Sequence, residues 1–243
     1  MKNKSFFYKS FVNRLVVRIS ILLGVIGIYI FYPQAFEVAK GFNFFKVLSP
    51  LHIVWIVWMF DMILQLLHAP DYWPLGSQKY FAYRYKKPTS MIDKKEIKQL
   101  MKGLNKGSIL VAIAWITLVA VIDMLYLLKI IPFEIVIIIS TFFYVCDVIC
   151  IIGWCPFKTF FMHNKCCTTC RIYNWDHAMM FTPLIVIPGI LTYSLLFMSL
   201  FVVIVWEVAC AKHPERFIER ANDALKCKNC KDKLCGREIG VSL

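Results

Sequence analysis

Residues 163–177, HNKCCTTCRIYNWDH, hold three cysteines and two histidines within fifteen positions, between two long apolar runs. Thiolates and imidazoles at this density suit a soft metal ion, an iron–sulfur cluster or thiol–disulfide exchange. Cys155, Cys166, Cys167 and Cys170 offer four sulfurs, and His163 can replace one of them. Cys167 and Cys170 form a C-x2-C pair, while the adjacent Cys166 leaves the choice of ligand open. Lys165 and Arg171 are expected to favour the thiolate form. The reading without metal is a reactive dithiol, Cys167 with Cys170, that exchanges disulfides with a partner.

A second group follows in CAKHPERFIERANDALKCKNCKDKLC. Cys210 and His213 share the two-residue gap that lets two side chains meet one ion, and Cys227 and Cys230 repeat it thirteen residues later. The pattern C-x2-H-x13-C-x2-C is close to zinc-ribbon spacing. Cys235 adds a C-x2-C-x4-C option that, with Cys210, suits an iron–sulfur cluster. Between the pairs, Pro214 opens an expected short helix with Phe217, Ile218, Ala221, Ala224 and Leu225 as its apolar stripe. The bland reading is a flexible tail of thiols. Loop and tail each offer four cysteines, the count that a carrier of two clusters needs; iron–sulfur and zinc both fit the residues.

These groups need elements to position them. The chain is 59% hydrophobic and 18% charged, with a mean hydropathy of +0.63, well outside the composition of a water-soluble domain. The expectation is an all-α integral membrane protein, multi-pass in the cell membrane. Five transmembrane helices are expected near 15–32, 51–67, 109–128, 131–153 and 181–206. Residues 1–208 then form the membrane domain and 209–243 a short soluble cysteine-rich tail. Pro183, Pro188 and Gly189 should bend the last helix.

The net charge of +13 rests on 28 Lys and Arg against 15 Asp and Glu. Most of the basic residues fall between apolar runs, so the excess is assigned to topology and anionic lipid, not to nucleic acid. With the N-terminus in the cytoplasm, the 68–108 loop and the cysteine loop share its side, and five crossings send the tail opposite. That leaves eight basic tail residues on the unfavoured side, a conflict internal to the reading. SMIDKKEIKQLMKGL reads as a basic amphipathic helix opened by a Ser90–Asp93 capping pattern. Ile97, Leu100, Met101 and Leu104 form its apolar face on anionic headgroups.

Asp61, Gln65 and His68 align on one face of the second helix, and Asp147 lies beside Cys146 and just before Cys150 in the fourth. Charges in such runs usually face a bundle interior, so Asp61 and Asp147 are expected to face one another across a cavity below the cysteine loop, as a proton, ion or quinone-type site. The plain alternative is aspartates that fasten helices. Asp176 and His177 could work as an acid–base pair; the favoured expectation is that Asp176 caps the last helix, with His177 at the headgroups. No Walker loop, H-E-x-x-H, G-x-S-x-G or Rossmann fingerprint occurs. The residues thus point to a membrane protein with one or two cysteine-ligated centres for electron transfer or a redox step, served by a redox partner or by other subunits of a membrane complex. A transporter or channel with an Asp/His path and structural zinc is the alternative, and an assembly subunit a third.

Overall fold

The computed structural model describes residues 6–67, 79–88 and 92–229, and every regular element in them is helical. The helices are α1 (Phe6–Phe31), α2 (Leu51–Leu66), α3 (Lys94–Leu127), α4 (Phe133–Ile152), α5 (Asp176–Phe181) and α6 (Ile190–Lys212). Four of them, α1, α3, α4 and α6, are long and apolar enough to cross a membrane, whereas α2 is a shorter apolar helix of 16 residues. Leu23, Ile30, Phe31, Ile116, Phe197 and Ile204 stand exposed around the bundle. In water such a surface would drive association, but against acyl chains it costs nothing. The inner face is filled by Trp58, Met62, Tyr144, Phe181, Leu184 and Leu195.

α3 joins two expected elements into one. The basic helix starting near Asp93 does not lie apart on a surface; it continues through Gly107 and Ser108 into the apolar run, giving 34 residues and a rod of about 51 Å. Ser90, the expected cap, lies outside the described residues. Gly107 is needed for packing, since a Cβ there would sit 2.8 Å from the Phe161 carbonyl oxygen and 3.0 Å from Met162 Sδ. Its absence lets the turn at Phe157–Phe161 lie on α3. The apolar face of the basic segment is not open to headgroups either: Ile97, Leu100 and Leu104 pack on Phe217, Ile218, Ala221 and Leu225.

The expected fifth span, 181–206, is not one helix. α5 is followed by a 3-10 turn, Thr182–Val186, and the chain then runs through Ile187, Pro188 and Gly189 before α6 begins. Pro188 removes a backbone donor that helix continuation would need. At the break, Gly41 N–H donates to Pro188 O (2.7 Å) and Ile190 N–H to Gly41 O (3.0 Å). A Cβ on Gly189 would run into the Ala39 carbonyl oxygen. Six α-helical residues, five 3-10 residues and three extended ones reach roughly 29 Å, enough to traverse the bundle. α6 returns alongside, and Trp206 Nε1 donates to Arg171 O at 2.8 Å. The run is therefore two antiparallel legs.

This overturns the expected side of the tail. The end of the bundle that carries the cysteine loop, residues 153–175, also receives the end of α6 and the tail that follows it. There Tyr80, Trp206 and Phe217 form a three-ring cluster with centroids 4.8–4.9 Å apart. Fully buried Asn222 donates to the Lys79 and Arg216 carbonyls and accepts from the Lys86 and Ala224 N–H groups. The expected tail helix is replaced by 3-10 turns at Pro214–Phe217 and Asp223–Leu225. The helix also runs past the expected domain boundary to Lys212. Among the described residues, only Lys40, Lys46 and Lys129 are basic residues in connections at the opposite end, so the conflict over the described part of the basic tail disappears.

Reporters fused before α1 and after the tail should register the same compartment; opposite compartments would refute the two-legged reading of 176–212. Gly189→Ala should lower stability by about 1–3 kcal/mol through the forced contact with Ala39. Gly24→Ala, with nothing within 4 Å of the new carbon, should be neutral or stabilising in the same thermal unfolding measurement.

Candidate functional site

Arg18 stands at the centre of a polar cluster inside the bundle. Its guanidinium donates to Asp147 Oδ2 (2.6 Å) and the Tyr144 carbonyl (2.7 Å), and lies 3.4 Å from Asp61 Oδ2. It also covers the Tyr144 ring, 3.8 Å from the centroid, and the Tyr144 hydroxyl donates to Asp61 Oδ2 at 2.5 Å. One cation thus links α1, α2 and α4. Asp61 and Asp147 do lie on inward faces, but Arg18 is between them. From sequence Arg18 counted only as a flanking charge, because its position near the start of the first apolar run matches a topology signal. Its depth became visible only with Asp61 and Asp147 placed around it.

Beside this knot, Gln65 Nε2 donates to Asp176 Oδ2 (2.8 Å), and His177 Nδ1 lies 3.1 Å from the same oxygen. Asp176 is the first residue of α5 and its side chain does not cap the helix, contrary to the expected role. His177 is not at the headgroups; it is 1% exposed. Gln65 Oε1, Asp176 Oδ1 and His177 Nε2 have no hydrogen-bond partner among the described residues. They border a cavity of about 30 Å³ lined also by Arg14, Arg18, Asp61 and Asp147. One water needs about 10–15 Å³ of such space. His68, the third expected member of the path, lies outside the described residues.

A second cavity, of about 120 Å³, adjoins the first and shares Asp147, Ile151, Tyr173 and Asp176 with it. Cys146, Cys150, Cys155, Cys167 and Cys170 line it, with Trp115, Phe143, Phe157, Met179 and Met180. The chain makes a helix end at Gly153, turns at Pro156 and enters the π-helical turn Phe157–Phe161. That turn sets the Cys155 sulfur against the Lys158 N–H (3.4 Å). The Cys167 thiol donates to the Cys150 carbonyl oxygen at 2.9 Å. The nearness of the Cys150 and Cys167 thiols, with the N–H groups of Phe157 and Lys158, pulls the Cys155 pKa down to about 3, and Cys167 is raised in turn, chiefly by the Cys155 sulfur. Burial pushes Cys170 up to about 11.

The loop set from sequence is therefore rearranged. Cys166 leaves the cavity, with its sulfur 3.2 Å from Thr168 Oγ1, and Cys150 of α4 takes its place. The thiolate is favoured by neighbouring S–H and N–H donors, not by the expected cations: Lys165 is exposed, and Arg171 is clasped by both carboxylate oxygens of Glu207 and by Asn105 Oδ1. Exposed His163 takes positive φ and does not line the cavity.

The tail set is not assembled among the described residues. Cys210 is buried with Trp206, Phe217 and Ile218, His213 faces Glu215 at 3.3 Å, and Cys227 is exposed. Cys230 and Cys235 lie outside the described residues. Residues 214–225 are held by apolar packing on Tyr80, Met101 and Trp206. No group of three or more His, Cys, Asp or Glu among the described residues is already set to hold a metal ion.

Asp147→Asn should destabilise the protein by roughly 3–5 kcal/mol, because it leaves a buried arginine short of its closest partner, whereas the double variant Arg18→Met/Asp147→Asn should recover much of that loss. Equal destabilisation of single and double variants would show that the pair is not coupled. Cys155 should react with methyl methanethiosulfonate at pH 5 almost as fast as at pH 8. Thiols of the unfolded chain, ionising near ~8.5, should slow steeply over the same fall in pH, and a parallel fall at Cys155 would refute its stabilised thiolate.

No family model, curated protein or solved structure matches the chain.

Proposed function

We propose that the protein is a multi-pass membrane protein that carries out a redox step through the cysteine cluster at one end of its bundle. The observation that carries this reading is the convergence of Cys150, Cys155, Cys167 and Cys170 on one cavity, which also borders Asp176 of a buried carboxylate–imidazole pair. A sulfur poised as thiolate next to a thiol is the ground state from which a disulfide forms once two electrons are removed. The basic residues gathered at this end support a cytoplasmic position for it under the positive-inside rule. There a reduced resting state is expected.

A second reading has one observation in its favour. Cys150, Cys155, Cys167 and Cys170 supply four sulfurs around one cavity, the number that zinc or a cubane iron–sulfur cluster requires. In that case the centre would serve electron transfer or hold the loop on α4, and its side chains would turn inward to meet the metal. An Asp61–Asp147 ion path is less well supported, because Arg18 occupies both carboxylates. Anionic lipid, a redox partner protein and subunits of a larger membrane complex stay as proposals for what the basic end meets.

The two readings separate on one preparation. Protein purified without oxygen should contain reduced thiols and no stoichiometric iron or zinc. Diamide should then create a disulfide that joins Cys155 to Cys150 or Cys167, seen by peptide mass mapping and lost in Cys155→Ser. About one equivalent of zinc, or a brown iron-containing chromophore, removed by Cys155→Ser and Cys167→Ser would establish the metal reading instead. Neither metal nor a Cys155 disulfide would reject both.

A further inference from the structure

The cavity above the cysteines has more apolar wall than a thiol pair needs. Trp115 of α3 and Phe143 of α4 have their rings 4.8 Å apart, and Phe157 lies 6.1 Å from Trp115. All three line the space. Phe143, Cys146 and Cys150 are only half-buried, and Phe142 and Ile149 beside them are exposed. The cavity therefore reaches the apolar outer surface of α4, and a ligand dissolved among acyl chains can enter without crossing water. At its inner end stand Asp147 and Asp176, and behind Asp176 lie Gln65 and His177. The space thus has flat apolar sides, sulfur on one wall and an ionisable pair at its base.

We propose that this cavity binds the ring of a lipid-soluble quinone, which takes electrons from Cys155 and its partner thiol. The proposal rests on the sulfur-redox reading above and names the oxidant for it. An uncharged planar ring suits aromatic and thioether walls, and its two carbonyl oxygens are the groups that need protons. In the reaction a sulfur–sulfur bond forms between Cys155 and Cys150 or Cys167, and the partner's S–H bond breaks. Two electrons pass to the quinone. One proton comes from the partner thiol, and the second comes from the Asp176–His177 pair, which is left as a neutral imidazole beside the carboxylate, so the thiolate's single negative charge ends on the pair. The products are a disulfide and a hydroquinone.

Arg18, Arg14, Asp61, Asp147 and Tyr173 face that pair from the neighbouring elements. Arg18 is already committed to Asp147 and Asp61. Asp176 is the carboxylate that borders both cavities and retains an oxygen without a partner among the described residues. That position makes it the group through which a proton can pass from His177 to the ring.

Duroquinone is the probe, because its four ring methyl groups block direct thiolate addition. The prereduced full-length protein in nanodiscs, freed of reductant under argon, should convert about one equivalent of duroquinone to durohydroquinone while the Cys155 disulfide appears. Cys155→Ser should abolish both. Asp176→Asn should slow quinone reduction by roughly a hundredfold, while diamide still forms the disulfide at its normal rate and so reports an intact fold. Trp115→Leu should raise the duroquinone concentration needed for half-maximal rate. A Cys155 disulfide formed by diamide but not by duroquinone would overturn the quinone inference and leave sulfur redox standing. No Cys155 disulfide with either oxidant would overturn both, and equal quinone reduction by Cys155→Ser would assign the reaction elsewhere.

Discussion

A guanidinium enclosed by apolar helices must keep its partners, and that constraint fixes how three of the helices meet. Arg18 engages Asp147 and Tyr144 of α4 and approaches Asp61 of α2. An uncompensated charge in such surroundings costs several kcal/mol, so α1 cannot slide along α4 without losing more than contact area. Apolar helix faces are poor at specifying register, since one branched side chain replaces another at small cost. The ionic knot supplies the register, and the extensive packing of α1 on α4 follows it. The same registration puts Gln65 opposite Asp176 and closes the polar cavity from below.

The break before α6 has the next largest consequence. With Pro188 unable to donate and Gly189 pressed against the Ala39 carbonyl, the chain turns back where a continuous helix would have carried it away. α5 and its 3-10 extension then run inward and α6 runs outward. The cysteine loop and tail meet at one end, locked by Glu207 on Arg171 and Trp175 and by Trp206 on the Arg171 carbonyl. In the tail, Phe217, Ile218, Ala221 and Leu225 bury themselves against Tyr80, Met101 and Trp206.

Chemistry at that end follows from the same geometry. Sequence neighbours in the loop are divided by it: Cys167 faces α4 while Cys166 turns to Thr168. Cys150, a residue that spacing alone would leave as core, becomes part of the cluster because the helix end brings it under Cys155. The two cavities share a wall at Asp147 and Asp176, so the cysteine-lined space lies beside the buried carboxylate–imidazole pair.

The sequence by itself determined the properties that depend on composition and local periodicity. The apolar runs marked an all-helical bundle with an apolar exterior, the residues Pro183, Pro188 and Gly189 marked an irregularity in the last run, and Asp61, Gln65 and Asp147 marked inward faces. The cysteine loop was legible as a place where several thiols gather. Tertiary structure alone decided the rest. Hydropathy cannot tell a bent span from two antiparallel legs, since both bury the same residues in the same order. Residue spacing cannot identify a cluster whose members come from α4 and two parts of a loop, because sulfurs at 150, 155 and 167 meet only through the turn after Gly153. Arg18 reads as a flanking charge until the carboxylates from two distant segments surround it. Each of these is a relation between segments far apart in the chain, and it exists only once packing has brought them together.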